Sequence, residues 1–243
     1  MSHERATRPS AHKRPRGAAP IDGAQRAIRK MLQVDPRSFP TEEIPVIPPE
    51  GTGVERPVPE WVEVSQSLYR CFAFVDVCGF TAYTDREGTR AATEVLTRFR
   101  SAVRDVAVRR GVRVTKWLGD GVMLVGTQPG PVTATVAELM LRFRSDPFEI
   151  HAGIAAGTVL LFEGDDYVGR PVNLAARLCE AAGEGEVLCL ALDHELPDWV
   201  RVGGHVTVRA LGIGDISGVS QLRVTDDAWS SSMMAPELHP AVG

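Results

Sequence analysis

Residues 72–81 read FAFVDVCGFT. The run is apolar and strand-like, then meets a carboxylate at Asp76, with Gly79 and Thr81 close behind. An unpaired buried carboxylate is costly, so a purely structural strand would not choose one there. Its position implies a positive partner. Beyond it, Gly79 permits close approach of backbone N–H groups, and Thr81 adds a hydroxyl near a helix start. Val77, Cys78, Gly79, Phe80 and Thr81 therefore form a candidate anion cradle, with a metal ion on Asp76 and phosphate on the amides as one site.

The rest of the chain extends this strand into an α+β pattern. Leu68–Asp76 is the first strand. Thr84-Asp-Arg-Glu87 reads as a capping box opening a helix, in which Ala92, Val95, Leu96, Phe99, Val103 and Val106 recur on one face until Gly111. Val112–Leu118 and Val122–Gly126 are strands around a Gly119-Asp120-Gly121 hairpin turn. A second helix starts at Pro131 and runs to about Arg144. Phe148–Ala155 and Thr158–Phe162 read as two strands, Asn173–Ala182 as a helix closed by Gly183, and Glu186–Ala191, His205–Ala210 and Ser220–Val224 as further strands. This order predicts a ferredoxin-like α+β sandwich: a mostly antiparallel sheet with helices packed on one face.

Composition sets the outer limits. The chain has 243 residues, 44% of them hydrophobic and 6% aromatic, enough for one sizeable, mostly aliphatic core with chain left over. A net charge of −4 argues against a general nucleic-acid binder. Residues 1–33 are nevertheless basic (Arg5, Arg8, Lys13, Arg14, Arg16, Arg26, Arg29 and Lys30 against Glu4 and Asp22) and read as a disordered tail with a short helix over 21–33. Residues 34–66 hold seven prolines and read as an extended linker. The globular domain spans 67–226, followed by a tail over 227–243. No apolar run approaches a membrane span or a signal peptide. Cys71, Cys78, Cys179 and Cys189 form no C-x-x-C pair, which fits free thiols in the cytoplasm. His151 and His205 lie in strand-like runs without H-E-x-x-H, so a zinc site is not expected.

Two carboxylates stand where strands turn. Asp76 ends the first strand, and Asp120 sits in the hairpin between the second and third. In a ferredoxin-like sheet those segments are neighbours, and convergent carboxylates suit a hard cation such as Mg²⁺. Asp120 alone is equally ordinary turn chemistry. Asn173 and Arg177, four apart, share one helix face. Such a pair is commonly a solvated surface, and only its Gly-Arg-Pro entry favours function. Gly164 to Arg170 fails as a P-loop for want of the Lys and Ser/Thr.

FVDVCGFT, KWLGDG and DYVGRPVNLAAR, in this order and spacing, resemble the class III nucleotidyl cyclase catalytic domain, the adenylate and guanylate cyclase family, in its bacterial type. The likeness covers about residues 68–225. It implies a homodimer with active sites at the subunit interface and two Mg²⁺ or Mn²⁺ ions per site. By the resemblance, Asp76 and Asp120 match the metal aspartates, with Val77 as a further metal position. Lys116 and Asp166 match the purine selectors, Asn173 the ribose-orienting asparagine, and Arg177 the transition-state arginine. Leu211 stands where family members often have a triphosphate lysine, and Arg209, on the same strand face, is a candidate substitute. The implied reaction is in-line attack of the ribose 3′-oxygen on the α-phosphorus, releasing pyrophosphate. A lysine donor and a carboxylate acceptor suit adenine, whose N1 accepts and whose exocyclic amine donates. The expected substrate is therefore ATP and the product 3′,5′-cyclic AMP, in intracellular signalling. The alternatives are a guanylate cyclase and a catalytically silent dimerisation or nucleotide-sensing module. A diguanylate-cyclase or polymerase-palm relative is disfavoured by the Asn-x-x-x-Arg helix and the lack of a GGDEF-like turn.

Overall fold

The computed structural model describes residues 67–144, 148–162, 166–190 and 196–225. The basic tail, the proline-rich linker and the C-terminal tail over 227–243 lie outside the described residues.

In chain order the elements are β1 (Ser67–Val77), α1 (Phe80–Arg109), β2 (Arg113–Leu118), β3 (Gly121–Gly126), α2 (Pro129–Phe143), β4 (Ile150–Phe162), β5 (Asp166–Val168), α3 (Arg170–Ala181), β6 (Val187–Leu190), β7 (Val200–Ala210) and β8 (Gly214–Val224). The strands form one sheet in the order β2-β3-β1-β4-β6-β8-β7, with β5 paired to β4. All pairings are antiparallel except β4 with β6.

β1 lies near the middle and is buried on both faces, which is why its sequence is continuously apolar instead of alternating. Cys71, Ala73, Val75 and Val77 pack with Val95, Phe99 and Val103 of α1 and Val132, Val136 and Leu139 of α2. Phe72 and Phe74 point the other way, into a second core with Val172, Leu174, Ala175 and Leu178 of α3. Burying each of these phenylalanines contributes about 1.5–3 kcal/mol. The expected α+β class and mostly antiparallel sheet are present, and α1 and α2 share one face. The third helix departs from the expectation: α3 covers the opposite face, because β1 and β4 present apolar residues on both sides.

Three local readings change. Thr84-Asp-Arg-Glu87 does not open the helix. α1 already begins at Phe80 after Gly79, and Thr84 Oγ1 donates to the Phe80 carbonyl at 2.9 Å inside it. The break near this point is instead a kink at Gly88, with φ 85°. α2 starts two residues earlier than expected, with Pro129 in its first turn, where a missing N–H costs nothing. The two strands expected over 148–162 are one. Gly157 marks no turn: it pairs with Arg70 in the β1–β4 ladder, and a Cβ there would come within 2.8 Å of the Pro171 ring.

Candidate active site

The β1–β3 ladder pairs Val75 with Val122. Asp76 and Asp120 therefore leave adjacent strands at the same end of the sheet, at 1% and 2% exposure. Asp76 Oδ1 accepts from its neighbour's amide, Val77 N–H, at 3.0 Å. Directly across the β1–β4 ladder from Asp76 lies His151, which the sequence reading did not pair with it, with Nε2 3.6 Å from Asp76 Oδ2. Cys78 Sγ lies 3.7 Å from His151 Nδ1, and Cys179 Sγ of α3 donates to the His151 carbonyl at 3.9 Å. Burial opposes the imidazolium, but the Asp76 carboxylate outweighs it and holds the His151 pKa well above the ordinary histidine range.

Two buried carboxylates on neighbouring strand ends offer the hard oxygen donors that Mg²⁺ or Mn²⁺ takes, and the donor chemistry fits such an ion. Among the described residues no cluster of three or more His, Cys, Asp or Glu side chains is arranged for a metal. An ion here would therefore need oxygen from main chain, water or substrate to complete its shell. Val77, the further expected metal position, pairs with Ile150 in the β1–β4 ladder.

The turn after Asp76 is narrower as an anion cradle than the sequence implied. Val77 N–H is committed to Asp76, and Cys78 N–H donates to the Glu149 carbonyl at 2.9 Å. Gly79 takes φ 66°, the left-handed region that favours glycine, and its carbonyl accepts the first helical bond, from Tyr83 N–H at 3.0 Å. Gly79, Phe80 and Thr81 stand at the start of α1, at the positive end of the helix dipole.

On the α3 side of the sheet, Lys116 of β2 and Asp166, the first residue of β5, form an ion pair. They are fifty residues apart in sequence, and the fold brings them together through β4, to which β5 is paired. Both side chains remain partly exposed, so a ligand could reach them.

α3 buries Pro171, Val172, Leu174, Ala175, Ala176, Leu178 and Cys179. Asn173, Arg177 and Glu180 fall between these on the stripe that is only partly buried. Arg177 Nη1 donates to Glu180 Oε2 at 2.7 Å. Arg209 is not brought to this group within the chain. It sits on β7, at the opposite edge of the sheet from β2, 89% exposed and 3.4 Å from Asp215. Leu211 is also exposed. Sequence reasoning missed His151 and Glu180. For Glu180, three residues after Arg177, the i,i+3 spacing was a usable signal; for His151 the pairing is cross-strand and leaves no local mark.

No family model matches the chain. An uncharacterised protein of Mycobacterium tuberculosis is 39% identical over 140 residues, covering 56% of this chain and 37% of that protein. An adenylate cyclase of Streptomyces coelicolor is 35% identical over 118 residues, covering 47% of this chain and 30% of its own length. The chain thus spans about a third of these curated relatives. Among solved structures, the guanylyl cyclase Cya2 superposes with a TM-score of 0.56 at 19% identity, covering 68% of this chain and 96% of that one. Adenylate cyclases from Trypanosoma brucei give 0.54 at 18% identity, covering 65% and 89%. The described domain has the class III nucleotidyl cyclase fold, as the motifs implied.

Proposed function

We propose that this chain, built on the class III nucleotidyl cyclase domain, is an adenylate cyclase that converts ATP to 3′,5′-cyclic AMP and pyrophosphate. The observation that carries the reading is the Lys116–Asp166 pair, placed on the same side of the sheet as Asp76. A cationic donor beside a carboxylate acceptor reads the N1 and amine edge of adenine. Against guanine, Asp166 would face a carbonyl and Lys116 an N–H.

The residues divide the work by chemistry. Lys116 donates to N1 and Asp166 accepts from the exocyclic amine, which orients the purine. The start of α1, at Gly79 and Phe80, faces the phosphates with the positive end of the helix dipole. Asn173 orients the ribose, and Arg177 meets negative charge growing on the α-phosphate, where a preorganised cation acts most strongly. Asp76 and Asp120 would hold Mg²⁺ or Mn²⁺, two ions per site, which would lower the pKa of the 3′-hydroxyl and neutralise the leaving triphosphate oxygens. Arg209 is kept as the candidate triphosphate contact only in the form of a group supplied from the β7–β8 region.

The placement of these groups supports a reading of assembly. Asp76 lies in the sheet beneath α3, whereas Asn173 and Arg177 occupy the stripe of α3 that the sheet does not bury. A second copy that brings its own α3 stripe to Asp76 and Asp120 completes the set, so the working form is a homodimer with sites at the interface. No helix among the described residues is long and apolar enough to cross a membrane. We place the reaction in the cytoplasm, where ATP is supplied.

The test is product analysis on purified full-length protein with ATP or GTP and Mn²⁺. Cyclic AMP from ATP, with little product from GTP, is expected. Cyclic GMP as the main product would make it a guanylate cyclase, and no product from either would leave a nucleotide-sensing module.

A further inference from the structure

Asp120 sits in the tight turn of the β2–β3 hairpin. Leu118 pairs with Gly121, so the loop consists of Gly119 and Asp120 alone, and Gly119 takes φ 77°. Glycines on both sides of the aspartate give it wide conformational freedom. A side-chain contact to this turn comes from another element. Arg100, in the middle of α1, donates from Nη2 to the Gly119 carbonyl at 3.1 Å. Its guanidinium lies over the Trp117 ring, 5.0 Å from the centroid, and Arg104, one helical turn on, lies over the same ring at 5.1 Å. Arg100 Nε is buried and has no hydrogen-bond partner among the described residues, so the stack and the Gly119 bond define where the guanidinium sits.

Strand parity shows what the clamp holds. On β2, Trp117 packs towards α1 and α2, while Leu118 belongs to the core on the α3 side, and Lys116 reaches Asp166. Arg100 therefore grips, from behind, the strand that presents Lys116 and the turn that presents Asp120.

We infer that Arg100 is a positioning residue for the cation site, acting through the Gly119 carbonyl to hold Asp120 within reach of an ion shared with Asp76. The inference rests on the reading of Asp76 and Asp120 as metal ligands. Arg104 shares the ring but makes no such bond to the turn, so it contributes packing without positioning. Groups that orient a ligand from one bond away commonly change metal affinity by about 10–100-fold when removed.

The experiment is a Mn²⁺ titration of the full chain without nucleotide, with free Mn²⁺ followed by electron paramagnetic resonance, alongside thermal melts. Asp120→Ala should lose the site. Arg100→Ala should weaken it about tenfold, and Arg100→Lys, which keeps a cation and a donor, should recover part of the loss. Arg104→Ala should bind Mn²⁺ as the parent does. If Arg100→Ala fails to fold, Arg100→Gln, which keeps part of the stem but has neither the charge nor the reach to Gly119, carries the comparison and should fall between parent and Asp120→Ala. Parent-like affinity in the Arg100 variants while Asp120→Ala loses the site would overturn the inference alone. So would equal weakening in Arg104→Ala, which would reduce the cluster to packing. Parent-like affinity in Asp120→Ala would overturn the metal reading itself, and the positioning role with it.

Discussion

Asp76 and His151 face each other across two strands at 3.6 Å, and His151 can lose its proton where the carboxylate is absent. Asp76→Ala or Asp120→Ala should bring product formation to background while the melting transition survives; near-normal turnover in either at saturating Mn²⁺ would exclude them as ligands. Lys116 and Asp166 should govern base choice. Lys116→Glu with Asp166→Cys reverses the polarity facing the purine. Loss of each hydrogen bond to the base costs on the order of 1–3 kcal/mol once the bound purine covers it, so kcat/KM for ATP should fall at least roughly tenfold, with GTP turnover rising only weakly. An unchanged preference for ATP would show that these side chains do not read the base. Asp76 stood out in the sequence because a carboxylate interrupts an apolar run, whereas Lys116, Asp166 and the role of Arg177 came only through the family likeness. His151 was not legible, since it looks like any polar residue in a strand until β4 is laid beside β1. Arg100 was also illegible, because its value lies in a carbonyl nineteen residues away.

Between elements, two contacts decide whether the site keeps its shape. At Gly153 of β4 a Cβ would come within 2.2 Å of both the Ala175 carbonyl and the Cys179 amide of α3. Gly153→Ala must lift the helix that carries Asn173 and Arg177. It should lower stability by about 1–3 kcal/mol, read as a fall in denaturant midpoint, with turnover lost as well; parent-like stability would mean the two elements do not pack this closely. On the other face, Glu138 of α2 is buried and accepts from Arg109 at 2.5 Å, Arg110 at 2.6 Å and Arg142 at 3.0 Å, clasping the end of α1. Burial alone would raise its pKa, but Arg109 and Arg110 outweigh it and hold the carboxyl below the ordinary value of 4.5. A lowered pKa means the stabilisation is complete above that value and is lost as pH falls through the folded-state pKa. Glu138→Gln should therefore melt lower than the parent at pH 7, with the gap closing as pH falls from 4.5 through the lower folded-state value; a gap independent of pH would exclude the charge as the cause. Element types were readable from periodicity, whereas ends were not. Thr84 and Glu87 had the residue types of a cap, but the helix had already begun at Gly79. Gly157 resembled a turn because a strand glycine needed for close packing against Pro171 looks the same in sequence.

For the molecule as a whole, the sheet places the candidate metal carboxylates beneath α3 while α3 leaves Asn173 and Arg177 on its partly exposed stripe. The antiparallel sheet could be anticipated from the order of its strands. The split of helices between the two faces could not, because a doubly buried strand such as β1 shows no alternation to say which side each helix takes. The proposed dimer comes from the family likeness. Subunit mixing tests this most directly. Asp76→Ala and Arg177→Ala proteins, each inactive alone, are combined in equal amounts and allowed to exchange. Half the dimers then pair one of each, and every mixed dimer holds one site with Asp76 and Arg177 both intact and one site lacking both. Cyclic AMP formation should recover to about a quarter of the parent rate by site counting. No recovery, with subunit exchange demonstrated independently, would contradict an active site shared between two chains.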